Sequence, residues 1–114
     1  MKVVYIAHPI GGDVHGNLDK VVAIVRWINL NEEDVIPFAP YVADLLALRD
    51  AEAGERRRGM ENNKHYFRCG FIDELWLFGD TISEGMREEI EMAKEMRIKI
   101  VAATAATKKL FNAG

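Results

Sequence analysis

Glu74-Leu75-Trp76-Leu77-Phe78-Gly79-Asp80-Thr81-Ile82-Ser83-Glu84-Gly85-Met86-Arg87-Glu88-Glu89-Ile90 changes its structural period within a few residues. Up to Phe78 the run is apolar and strand-like; Gly79 and Asp80 interrupt it, and from Thr81 onward the apolar residues recur three and four apart. The pattern predicts a strand over residues 72–78 and a helix over 81–97. A strand that feeds directly into a helix is half of a crossover between parallel strands.

The same alternation extends in both directions. Residues 2–7 are apolar and β-branched and stop at His8-Pro9-Ile10-Gly11-Gly12, which reads as a buried strand and a tight loop. Leu18, Val21, Val22, Val25 and Ile28 lie at helical spacing and predict a helix over 17–31. Val35-Ile36-Pro37-Phe38 is a short strand, and Pro37 places it near a sheet edge. Helices follow over 41–48 and 54–69, the second broken or bent near Gly59; beyond the 81–97 helix, residues 98–102 make a last strand with a short polar tail. The order βαβααβαβ predicts a parallel sheet of order 2-1-3-4 in a flavodoxin-like or Rossmann-like three-layer α/β sandwich. Trp27, Trp76, Met92 and Met96 are expected in its core.

With 114 residues the chain, 1–114, is expected to form one domain. Fifteen Lys and Arg against eighteen Asp and Glu give a formal charge of −3, so no bulk positive field draws it to a nucleic-acid polymer or to anionic lipid. No apolar run approaches the roughly 20 residues of a membrane span, and the apolar start is too short for a signal-peptide core. Cys69 is the only cysteine, which points to a reducing cytoplasm with no structural metal and no cofactor.

The loop into the 81–97 helix carries the best-defined chemistry. Thr81 and Glu84 have capping-box spacing, and Ser83 competes as N-cap. Either choice points backbone N–H groups near Ser83 and Gly85 toward the ligand end of the sheet, where they attract anionic oxygens or simply cap the helix. Glu89, three residues after Met86 and four before Ala93, borders the apolar face, whereas Glu88 turns outward. Such an acid serves either a cleft or the helix dipole. The first loop lacks dinucleotide and P-loop spacings. Its paired Gly11 and Gly12 let a sugar or phosphate approach the backbone or build a turn, and His8 binds ligand or satisfies the loop. Arg56-Arg57-Arg58, flanked by acids, reads as a solvated helix face.

Three separated pieces, Tyr5-Ile6-Ala7-His8-Pro9, Asp73-Glu74-Leu75-Trp76-Leu77-Phe78 and Ser83-x-Gly85-x-x-x-Glu89-Ile90-x-x-Ala93, resemble the nucleoside 2-deoxyribosyltransferase superfamily with its deoxynucleoside 5'-monophosphate N-glycosidases. The look is that of its small phage and bacterial members. The resemblance implies a homodimer or larger homo-oligomer that cleaves or transfers at the bond between base and deoxyribose. It implies Glu89 as nucleophile, Tyr5 as the residue that orients Glu89 or the sugar, and Ser83 with Gly85 at the sugar or 5'-phosphate; the ligand is expected between that helix start and the loop of His8, Pro9, Gly11 and Gly12. Two positions depart from the pattern. His8 stands where the family has a small residue, and counting back from Asp73 to the acid that protonates the base lands on His65. A protein that binds a nucleotide or nucleotide-derived signal without turnover is the alternative expectation. The apolar segment 41–48 is a candidate for subunit contact.

Overall fold

The computed structural model describes residues 1–49 and 51–113. Four parallel strands, β1 (Lys2–Ala7), β2 (Val35–Phe38), β3 (Glu74–Leu77) and β4 (Lys99–Ala102), form one sheet in the order β2-β1-β3-β4. The helices are α1 (Val14–Asn31), α2 (Tyr41–Ala47), α3 (Ala53–Arg68), α4 (Glu84–Glu95) and α5 (Ala105–Ala113). The result is the three-layer α/β sandwich and strand order that the alternation predicts. Among the described residues no helix is long and apolar enough to cross a membrane.

Two apolar layers hold the sheet. On one face Tyr5, Ala7, Leu75 and Leu77 pack against Phe67 of α3 and Met86, Ile90 and Ala93 of α4. On the other, Val4 and Ile6 pack with Val35 of β2 and Ile28 of α1. Side chains of β1 therefore alternate between the layers, and its residues Val4 to Ala7 are fully buried. Each large apolar side chain buried this way stabilises the fold by about 1.5–3 kcal/mol. Pro37 lies on the edge strand, where its missing N–H interrupts no ladder on the outer side.

Several boundaries differ from the sequence reading. α1 starts at Val14, because Asp13 caps it: its carboxylate accepts the Gly16 N–H at 3.1 Å. Helix α3 continues through Gly59 as one element. At α4 the competition between caps is decided for Ser83, whose Oγ accepts the Met86 N–H at 3.2 Å. Trp27 and Met96, expected in the core, are 57% and 39% exposed. Trp27 stands beside an apolar groove of about 280 Å³ formed with Ile24, Ile28, Trp76, Phe78 and Ala103.

The expected polar tail is instead α5. Thr104 and Thr107 exchange caps, each hydroxyl accepting the other's backbone N–H at 3.1 Å. The Thr104 hydroxyl donates to the Gly79 carbonyl at 2.8 Å and the fully buried Thr107 hydroxyl to the Leu77 carbonyl at 3.1 Å. These bonds tie α5 to the end of β3. Thr107→Val keeps the shape but strands these partners, so urea unfolding should show a loss of about 1–3 kcal/mol; an unchanged midpoint would show that the tie contributes nothing.

Candidate active site

Strand order reverses between β1 and β3, so the loops leaving their C-terminal ends diverge. A cleft of about 480 Å³ opens there, of a size that takes a small-molecule ligand. Ile10, Leu45, Leu48, Met60, Met86 and Met92 give it apolar surface; His8, Asp44, Asn63, Ser83 and Glu89 supply polar groups. Much of α2 serves this cleft: Tyr41, Asp44 and Leu45, with Leu48 after it, line the cleft, while Leu46 points outward, 66% exposed.

Glu89 is set by helical spacing. Met86, Glu89, Ile90 and Ala93 form the buried stripe of α4, which carries the carboxyl inward, whereas Glu88 is exposed. Only 9% of Glu89 is exposed, and it still lines the cleft. Below it Tyr5 points into the same layer from β1, packed 4.7 Å from Phe67 and 5.9 Å from Tyr41 between ring centroids. The Tyr5 hydroxyl meets Glu89 Oε2 and lies 2.7 Å from Asn63 Oδ1. Asn63 Nδ2 donates to the same Glu89 oxygen at 3.2 Å. Tyr41 donates its own hydroxyl to the Ile6 carbonyl.

Burial pushes the Glu89 carboxyl up to about 7, against the hydrogen bonds from Tyr5 and Asn63 that favour the anion and with a smaller push from Glu88. Burial, then the Glu89 charge, also raises the Tyr5 and Tyr41 phenols well above their ordinary range. Proton counting gives the same direction. Tyr5 has one proton to place between Glu89 and Asn63. When Glu89 is protonated, a ring closes: Glu89 donates to Tyr5, Tyr5 to Asn63 Oδ1, and Asn63 Nδ2 back to Glu89. When Glu89 is ionised, Tyr5 turns its proton to the carboxylate, and no proton remains between Tyr5 and Asn63 Oδ1. A carboxyl balanced in this way near neutral pH can attack carbon or carry a proton.

The structure brings Glu89, Ser83, Gly85, His8 and Gly11 to the cleft, with Tyr5 directly beneath Glu89. Pro9 is not among the lining residues: its ring packs against Gly79, where an added Cβ would come within 2.6 Å of Pro9 Cδ. Gly12 builds the exposed turn at φ +89°. His65 is exposed on α3 and does not line the cleft. Asn63, which the offset from Asp73 passes over, takes the place beside Glu89. Two residues apart is about 200° around a helix, so the two side chains face opposite ways. The usable signal was that Asn63 precedes the fully buried Phe67 by four and so shares its face. Met60 has no role in the sequence reading, and Asp44 and Leu45 belong to the segment 41–48 expected at a subunit contact, whose inner side here lines the cleft. No group of His, Cys, Asp and Glu among the described residues is arranged to hold a metal ion.

The raised Glu89 carboxyl makes stability depend on pH. Between its unfolded value and about 7 the folded chain holds a proton that the unfolded chain has lost, so this stabilisation is full below the unfolded value and disappears as pH rises through 7. From pH 5 to pH 8, the folded protein should lose about 2–3 kcal/mol by this linkage. Unfolding titrations of wild type and Glu89→Gln should show that slope only in the wild type; parallel curves would mean that Glu89 ionises freely.

No curated protein and no solved structure matches the chain. A family described as a domain of unknown function (DUF7768) matches residues 2–103, which take in all four strands, helices α1 to α4 and every residue of the cleft. With that sheet and cleft inside the match, the chain belongs to the DUF7768 family.

Proposed function

We propose that the cleft binds a deoxynucleoside or its 5'-monophosphate and that Glu89 opens the N-glycosidic bond. The observation that carries this reading is the Glu89 carboxyl itself, buried, held by Tyr5 and Asn63, and set on a cleft of about 480 Å³ at the strand-order reversal. In the first step a Glu89 oxygen bonds to the anomeric carbon while the C–N electron pair leaves with the base, which takes up a proton. Water, or a second base, then displaces the carboxylate and completes hydrolysis or transfer. Developing positive charge on the sugar is stabilised by the ionised carboxylate, the logic of retaining glycosidases. Ser83 and Gly85 open α4 toward the cleft and offer N–H groups to the sugar or 5'-phosphate oxygens. The reading includes self-association as a homodimer or larger homo-oligomer, and a cytoplasmic setting in which exposed Cys69 stays a free thiol.

A second reading, binding without turnover, is favoured by one observation: the side chain that α3 places beside Glu89 is an amide, Asn63, which has no acidic proton to give. One experiment separates the two. The protein is incubated with a panel of deoxynucleosides and their monophosphates, with and without acceptor base, and free base is followed by chromatography. Wild type should release base, and Glu89→Gln should lower turnover by about three orders of magnitude or more while binding, measured by calorimetry, changes little. Equal turnover by both proteins would defeat the nucleophile; binding by both with no release would establish the second reading.

A further inference from the structure

Breaking an N-glycosidic bond leaves an electron pair on a ring nitrogen of the base, and the base departs readily only if a proton reaches it as the bond breaks. Glu89 cannot supply that proton while its oxygen attacks. Asn63 has none to give, and His65 faces away. Of the charged groups on the cleft, Arg56, Lys64, Glu84 and Glu88 are exposed at its rim, Glu55 is half-exposed, and Asp44 is half-buried beside the Asn62 amide.

His8 differs from all of these. It is 9% exposed, directly follows β1 on the cleft side, and lies three residues, about 10 Å, beyond Tyr5 along the chain. Its Nδ1 is 2.6 Å from the Pro9 carbonyl oxygen. A carbonyl only accepts, so Nδ1 carries a hydrogen, and the neutral ring has its lone pair on Nε2. Nε2 has no hydrogen-bond partner among the described residues. The ring lies near Gly79, with Nε2 3.6 Å from where a Cβ on that residue would stand, an ordinary contact distance. One imidazole nitrogen is thus committed to the backbone, and the other is left without a partner on a residue that lines the cleft.

We propose that His8 is the general acid that protonates the departing base, an assignment that rests on the glycosidic reading above. The step starts from the protonated ring, which carries a hydrogen on both nitrogens: the Nε2–H bond breaks, its proton passes to a ring nitrogen of the base, and His8 is left neutral with its hydrogen on Nδ1. The C–N pair stays with the base as the Glu89 oxygen bonds to the anomeric carbon. Neutral His8 then takes a proton from the water that attacks the glycosyl ester, which frees the Glu89 carboxylate and restores both groups.

The test compares two leaving groups. His8→Asn retains an amide donor for the Pro9 carbonyl but has nothing in place of Nε2. On a deoxynucleoside it should lower kcat by about 10²–10⁴-fold. On 4-nitrophenyl 2-deoxyribofuranoside, whose phenolate leaves without a proton, the loss should be smaller by roughly tenfold or more, because proton delivery contributes less there. An equal loss on both substrates, or no loss on either, overturns the assignment while leaving Glu89 and the glycosidic reading intact. A wild-type protein that cleaves neither substrate overturns both. Nitrogen-15 NMR of the wild-type ring gives a check independent of activity and of how the variant folds. The neutral form should carry its hydrogen on Nδ1, and a hydrogen on Nε2 would sink the proposal.

Discussion

A carboxyl group removed from water must find donors or keep a proton, and the position of Glu89 in the core imposes that demand on three elements at once. α4 brings the acid inward on its apolar stripe, β1 answers with Tyr5 and α3 with Asn63. None of the three is satisfied without the others, since Tyr5 is wholly buried among aromatic rings and its hydroxyl also needs a partner. The polar cluster therefore fixes how α3 and α4 sit on the sheet beneath the cleft, while the apolar cluster around Phe67 and Leu75 supplies the bulk of the stabilisation.

The strands and most helices were legible because each depends on a local period: alternation of β1 between two layers, the stripe of α4, the breaks at Gly and Pro. What escaped depended on neighbours. Periodicity shows which face of α1 is apolar, and it cannot show that a four-stranded sheet leaves Trp27 beside an open groove. α5 was read as a tail because Thr104 and Thr107 cap each other with hydroxyls where the familiar box has Glu or Gln at the second position. At the site, Glu89 and Ser83 were legible from their places on one helix. Asn63 was not, because its relation to Asp73 crosses the end of α3 and the turn at Gly70, where fixed counting loses the helical phase.

The cleft also shows how two loops without regular structure come to be held. The β1 loop is pinned by the Asn17 amide, which donates to the Ile10 carbonyl at 2.9 Å, and by the His8 ring on its own Pro9 carbonyl. The β3 loop ends in the Ser83 cap. The Asn17 and Ser83 side chains of these loops thus have partners within the chain, and α2 and α3 add apolar lining beside them.

Gly79 is where these supports meet. At φ +90° its backbone turns β3 out of the sheet, its Cα faces the Pro9 ring, and its carbonyl is held from behind by the Thr104 hydroxyl. A helix that gives the cleft none of its described lining residues thereby braces the glycine beside the His8 ring. The place of the His8 ring at the cleft thus depends on a backbone turn that α5 holds, so a change at Thr104 would reach the cleft without touching it.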